Sequence, residues 1–105
     1  MSKDGNLKQK HLISVIGHVL KFHDIKNLRA VEGYWSHDLH TMHLNYYHHG
    51  LLDDELLDSL NDLGAEILAQ YHSEMIYDQP IRVDYDRELP SSPDLVFPER
   101  KKDEH

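Results

Sequence analysis

Apolar residues recur with a helical period in two parts of the chain. Between Leu7 and Phe22 they form a broad stripe with polar residues opposite, which favours an amphipathic helix and leaves a β-branched strand as the alternative. A second helix is predicted from Asp54 to about Tyr71, where apolar residues return every three or four positions. Asp53 is the expected N-cap, because its carboxylate can accept from the unpaired amides of the first turn.

A period of two, typical of strands with one buried face, follows the first helix. Residues 28–35 and 41–48 predict two strands joined by a short polar segment, and therefore an antiparallel hairpin. In the second strand the apolar and polar positions alternate as Met42, His43, Leu44, Asn45, Tyr46 and Tyr47. Gly50 then lets the chain turn into the second helix.

A third strand is predicted over residues 81–85, after a connector that contains Pro80. The proline-rich end of the chain is expected to run extended over the surface, with Val96 and Phe97 docked. The order is helix, strand, strand, helix, strand. It predicts an α+β fold with two helices packed on one face of a small, mainly antiparallel sheet.

The other face of that sheet is left open by this arrangement. By alternation it carries His43, Asn45 and Tyr47, so we expect it to contact solvent, a partner or a second copy of the chain. A homodimer through this open face is one alternative.

The 105 residues correspond to one domain, placed at 7–98, with flexible termini at 1–6 and 99–105. The absence of cysteine excludes disulfides and thiolate metal sites. No apolar run is long enough to cross a membrane, and the first ten residues lack the apolar core of a signal peptide, so we expect a soluble cytoplasmic protein. The formal net charge of -8 disfavours nucleic acid and favours a basic protein partner.

Histidine is unusually frequent, with 10 copies. Five lie close together in sequence: His37, His40, His43, His48 and His49. Strand alternation puts His40 and His43 on opposite faces, and no HExxH spacing is present, so we expect neither a metal site nor a cofactor. The chain also lacks a Gly-rich phosphate loop and a nucleophile motif, which favours a binding protein over an enzyme.

The polar face of the second helix is acidic, with carboxylates at Glu55, Asp58, Asp62 and Glu66. Like charges at this spacing cost about 0.2–0.5 kcal/mol per pair. Two interpretations remain open. The face is either an ordinary solvated surface, or it steers a basic protein partner towards the chain.

Several segments together resemble a family of small uncharacterised bacterial proteins. They are the LRAV strand at 28–31 ahead of Trp35, the turn at 47–50 with acids following, the segment 65–67, and Val96 and Phe97 before 99–101. The resemblance runs from Leu12 to Lys101 and implies the fold and the domain limits. It implies no activity or ligand, and the histidine enrichment and the VFPERKK ending depart from the family pattern.

A weaker resemblance is to pterin-4a-carbinolamine dehydratase, which has a similar helix, strand, strand, helix order. That family's activity rests on a His-His-Pro segment before the second strand. Here His48 and His49 follow that strand and precede Gly50, so the resemblance implies no catalytic residue.

The leading hypothesis is a non-enzymatic acidic binding module, of the immunity or regulatory inhibitor type, that engages a basic protein. The helix carboxylates would steer the partner, and Trp35, His43 and Tyr47 would anchor it, since aromatic residues dominate interface energetics. The alternative is a small-molecule binder or enzyme that uses His48 and His49.

Overall fold

The computed structural model describes residues 3–36, 41–71 and 75–98, with only the backbone of residues 3–6. The elements are α1 (Lys3–Leu20), β1 (Leu28–Ser36), β2 (Thr41–His48), α2 (Asp54–Leu68), β3 (Met75–Arg82) and β4 (Leu95–Val96). Among the described residues, no helix has the length and apolarity needed to cross a bilayer.

The predicted α+β fold is confirmed. The sheet has the strand order β3-β2-β1-β4. β1 pairs antiparallel with both β2 and β4, while β2 and β3 run parallel. Both helices pack on one face and share a single apolar core with the inward side chains of the sheet.

The first helix is longer at its start than its apolar stripe indicates. α1 begins at Lys3, four residues before the predicted start, and ends at Leu20. Phe22 lies beyond the helix and is largely exposed. Leu12 and Ile16 are fully buried, so the predicted stripe is the face that packs on the sheet.

The second helix has the predicted cap and stripe. The Asp53 carboxylate accepts from the Leu56 amide at 2.8 Å, which satisfies one of the unpaired donors of the first turn. The buried residues are Leu56, Leu60, Leu63, Gly64 and Ile67. Leu57, predicted on the same stripe, is exposed instead, and the helix ends at Leu68 rather than at Tyr71.

Two glycines let the helices approach the sheet closely. A Cβ at Gly33 of β1 would lie 2.4 Å from Ile16 Cδ1. A Cβ at Gly64 of α2 would lie 2.6 Å from the Tyr46 hydroxyl and equally close to the Asp78 carboxylate. At both positions the helix lies so close to the sheet that a residue larger than glycine would clash with its neighbour.

The predicted third strand is misplaced. The strand is Met75–Arg82, so it includes Pro80, and Val83 and Tyr85 lie outside it. β3 is an edge strand that pairs only with β2 among the described residues, and a proline is tolerated at an edge because its missing donor breaks no ladder there. Six of its eight residues are exposed, which hides the strand pattern, since an edge strand buries little of either face.

The chain after β3 returns to the opposite edge of the sheet. Residues 83–94, here called the crossing segment, connect β3 to β4. β4 pairs with Val31 and Glu32 of β1 and was not predicted as a strand. Val96 packs against the core as expected, whereas Phe97 is exposed.

Candidate functional site

The strand register organises the open face, the side of the sheet away from the helices, into three rows across β1, β2 and β3. Residues aligned across the three strands lie on the same side of the sheet. The rows are Tyr34, His43 and Tyr77; then Glu32, Asn45 and Gln79; then Ala30, Tyr47 and Ile81.

The first row is an aromatic ladder, formed by Tyr34, His43 and Tyr77. The Tyr34 and His43 rings are stacked with centroids 4.8 Å apart and planes 8° apart. His43 and Tyr77 stack at 5.7 Å and 20°. The two tyrosines are 45% and 58% exposed, so the ladder is ordered by its own stacking while its outer faces remain accessible.

The second row is a hydrogen-bonded polar row. The Gln79 side-chain amide donates to Asn45 Oδ1 at 3.0 Å, and Asn45 Nδ2 donates to Glu32 Oε1 at 3.0 Å. The Tyr47 hydroxyl also donates to Glu32 Oε1, at 2.7 Å. Hydrogen bonds from Tyr47, Asn45 and Ser92 hold the pKa of Glu32 below its ordinary value, against the effect of burial.

Tyr47 belongs to the third row and shows the reciprocal effect. Burial, followed by its hydrogen bond to the Glu32 carboxylate and the charge of that carboxylate, raises the pKa of Tyr47 to about 12. The phenol therefore stays protonated and acts as a permanent donor to Glu32. The polar groups at this end of the open face are therefore hydrogen-bonded to one another.

The crossing segment is fastened beside this third row by Arg29. One guanidinium nitrogen, Nη1, donates to the carbonyl oxygens of Val83, Asp84 and Arg87 at 3.1, 2.9 and 2.8 Å. The guanidinium also lies over the Tyr85 ring, 5.4 Å from its centroid. Arg29 thus holds the segment through both backbone and aromatic contacts.

Asp84 provides the second attachment. Its carboxylate accepts from Arg82 at 2.9 and 3.2 Å and from the Gly50 amide at 2.9 Å. These bonds and the Arg82 charge lower the pKa of Asp84 to about 2. Gly50 has a φ of 79°, so the turn that brings its amide to Asp84 favours glycine.

A shallow depression of about 410 Å³ lies at the uncovered end of the face. Its lining is Tyr34, His43, Asn45, Tyr77, Asp78 and Gln79. No lysine or arginine contributes to this lining, and the phenol groups of Tyr34 and Tyr77 make no hydrogen bond within the described residues. The depression therefore combines exposed rings with unused acceptor oxygens.

The three predicted anchors do not share one surface. His43 lies in the aromatic ladder. Tyr47 is on the same face but only 6% exposed, because it is bound to Glu32 and lies at the covered end. Trp35 is on the helix side, where its ring stacks with Tyr71 at 6.2 Å and lies under the Lys8 ammonium.

The predicted steering carboxylates lie on the far side of the molecule from the ladder. Glu55, Asp58, Asp62 and Glu66 are all exposed on the outer face of α2. Glu66 is hydrogen-bonded to His23, and the other three form no ion pair within the described residues. A partner surface that contacts the ladder on the open face therefore does not also contact these carboxylates, which lie on the helix side of the sheet.

The histidines at the α2 turn point to different surroundings. His48 is 2% exposed, and its Nδ1 finds no hydrogen-bond partner within the described residues. His49 Nδ1 accepts from the Tyr85 amide at 3.1 Å, and its ring stacks on Tyr85. Because that nitrogen accepts a hydrogen bond, its 3.6 Å approach to Asp84 is not a charged contact.

Metal binding gains no geometric support where the structure describes the chain. In residues 3–36, 41–71 and 75–98, no three His, Asp or Glu side chains are grouped to hold a metal ion. His37 and His40 lie outside these ranges.

Sequence reasoning missed three residues of the uncovered end: Tyr34, Tyr77 and Gln79. Tyr34 was accessible to prediction, because a hairpin register that pairs residues 36 and 41 places it opposite His43. Tyr77 and Gln79 were not, because the predicted third strand began after them.

Comparison of this chain with protein-family models and with curated proteins gives no match. The two family resemblances therefore stay predictions from the sequence.

Proposed function

We propose that this chain is a non-enzymatic binding module that engages a basic protein through the uncovered end of its open face. In this proposal it acts in the cytoplasm as a regulatory or immunity-type inhibitor of that partner. The observation that carries it is the aromatic ladder, whose outer tyrosines remain exposed while the rest of the same face is covered or internally bonded.

The composition of the uncovered end supports a protein partner. Exposed tyrosines supply large contact area with few rotatable bonds, and Met75 beside them is 58% exposed and adaptable in packing. The depression is shallow, which suits a protein surface better than a small molecule enclosed on most sides.

Charge supports a basic partner. The face offers the side-chain oxygen of Gln79 and the phenol oxygens of Tyr34 and Tyr77 without a lysine or arginine in the lining. The formal net charge of -8 adds a long-range field that attracts basic proteins. In this proposal the α2 carboxylates add to this field from the far side, and the ladder makes the contact.

The alternative, an enzyme or small-molecule binder built on His48 and His49, receives less support. One imidazole is buried, and the other is stacked on Tyr85. Neither lines the depression of the open face.

The proposal is tested with paired variants of the full chain as bait for a basic partner in a native lysate. Tyr34→Thr/Tyr77→Thr removes the outer rings and keeps strand propensity, while Asp58→Asn/Asp62→Asn removes two α2 charges. We expect the wild type and the charge variant to retain the same basic protein and the ladder variant to lose it. The purified pair should then reassociate with a strong salt dependence.

Two results would overturn the proposal. One is capture that survives the ladder variant and fails with the charge variant, which would move the contact to α2. The other is light scattering that finds a stable dimer dissociated by Tyr34→Thr/Tyr77→Thr, which would make a second copy the occupant of the face.

A further inference from the structure

The two edges of the sheet differ in how far their backbone groups are hydrogen-bonded. The outer edge of β1 is occupied along much of its length, first by β4. Beyond β4, the Gly33 amide donates to the Asp94 carbonyl at 3.3 Å. The Gln9 side chain then accepts from the Trp35 amide at 2.8 Å and donates to the Gly33 carbonyl at 2.9 Å, as a neighbouring strand would.

The outer edge of β3 has no equivalent cover within the described residues. β3 is eight residues long and ends the strand order. Edge strands are commonly protected by prolines and charges, and Pro80 protects only the C-terminal half of this one. The half from Met75 to Gln79 remains available for pairing.

A strand added at this edge would continue the aromatic ladder. Neighbouring strands lie about 4.8 Å apart, and the ladder rings are separated by nearly that distance. The added strand would place one side chain beside Tyr77, against the ring face that His43 does not cover. That side chain would become the fourth member of the stack.

The surroundings select the chemistry of this fourth side chain. Asp78 faces the helix side, where its Oδ2 accepts from the Tyr46 hydroxyl at 2.8 Å, so the side-chain oxygen next to Tyr77 on the open face is that of Gln79. Gln79 uses only its amide nitrogen in the polar row. A side chain that stacks on a phenol and donates to an amide oxygen without bringing an acceptor is arginine, whereas lysine is a compact charge that cannot stack as a plane.

Resting on the proposed function, we infer that the basic partner binds by strand addition. An extended segment of the partner pairs with residues 75–79 of β3, and an arginine of that segment stacks on Tyr77 and donates to Gln79. Backbone hydrogen bonds give the affinity in this recognition mode, and the alternating side chains give the specificity.

Four blocked peptides test this inference on the isotope-labelled full chain by amide NMR. They are Thr-Arg-Val-Arg-Thr, its counterpart with both arginines replaced by lysine, and two forms of the arginine peptide that are N-methylated at alternate residues, each so that one of its two edges cannot pair. We expect the arginine peptide to shift and slow the exchange of amides in residues 75–79. Binding should weaken about threefold with lysine, from the lost stacking, and about tenfold with N-methylation on the pairing edge, from the lost backbone bonds.

Tyr77→Thr should reduce binding of the arginine peptide about threefold, while Phe22→Thr, which removes an exposed ring elsewhere, should leave it unchanged. Equal binding of the N-methylated peptides on both edges, or shifts centred on α2, would overturn strand addition. If the lysate partner still depends on the ladder in that case, the proposed function stands and only its mode fails. If neither the peptide nor the partner depends on the ladder, both fail.

Discussion

The two faces of this sheet differ in how their side chains are used. On the helix side, Met42 and Leu44 are at most 1% exposed, and α1 approaches through the gap at Gly33. On the open side, the intervening residue His43 is stacked between two exposed tyrosines. The helix side buries its side chains within a single chain. The open side does so only at the end where the crossing segment and Tyr47 lie. This difference leaves the uncovered end exposed to solvent.

The largest expected effect is the difference in unfolding free energy between alanine variants of two adjacent β2 residues that point to opposite faces. Leu44→Ala removes a buried side chain from the core and should lower the free energy of unfolding by about 2–5 kcal/mol. His43→Ala loses two ring contacts at a half-buried site and should cost about 1 kcal/mol. Urea denaturation measures both. Equal losses would mean that the ladder is part of the core and not a free surface.

The next effect concerns the covered end of the open face. Arg29→Lys keeps the charge but loses the planar group that holds three carbonyl oxygens and lies over Tyr85. We expect a loss of about 1–2 kcal/mol in unfolding free energy. Hydrogen exchange should accelerate selectively at the amides of Gly50, Val83 and Tyr85. Exchange that accelerates uniformly through the core would show instead that Arg29 supports the whole fold.

A pH effect of smaller size follows from Asp84. Its pKa is lowered from 3.8 to about 2 in the folded chain, so its contribution to stability is complete above about pH 4 and is lost as the pH falls towards 2. Asp84→Asn should therefore be less stable than the wild type at pH 5. The difference in urea midpoint should shrink towards zero near pH 2. A difference that stays constant from pH 5 to pH 2 would exclude the charged contact as its source.

The smallest effect is expected on α2. Asp62→Lys replaces a repulsion with Asp58 and Glu66 by favourable pairs and should raise the unfolding free energy by about 0.5 kcal/mol. It should also slow association with a basic partner at low salt, without changing the contact surface. Thermal denaturation and stopped-flow mixing measure these quantities. If Asp62→Lys instead abolished binding of the partner, α2 would lie inside the interface.

The predictable part of the fold is the part that buries one clear face. The α2 stripe, the Asp53 cap and the β1–β2 hairpin each follow from local spacing. β3 was misplaced because an edge strand that contains Pro80 has little periodicity to detect. β4 was missed because two residues carry no period at all.

The candidate site was only partly predictable for a related reason. Alternation in β2 correctly placed His43 on the open face, yet it also offered Tyr47, whose burial depends on Glu32 and on the crossing segment. The carboxylates predicted to steer a partner were visible as a helix face, but their separation from the ladder depends on which side of the sheet α2 packs. Both points depend on contacts between residues that are far apart in the sequence, and local spacing does not reveal those contacts.

The central claim is that the uncovered end of the open face is the contact surface. Hydroxyl-radical footprinting of the purified chain and of its complex with the captured partner tests it most directly, because three tyrosines of similar exposure report on both ends of the face. Tyr34, Tyr77 and Tyr85 are 45%, 58% and 51% exposed, and Tyr85 lies on the crossing segment. We predict that the complex protects Tyr34 and Tyr77 and leaves Tyr85 reactive. Unchanged modification of Tyr34 and Tyr77, with protection of Leu57 on α2, would contradict the claim.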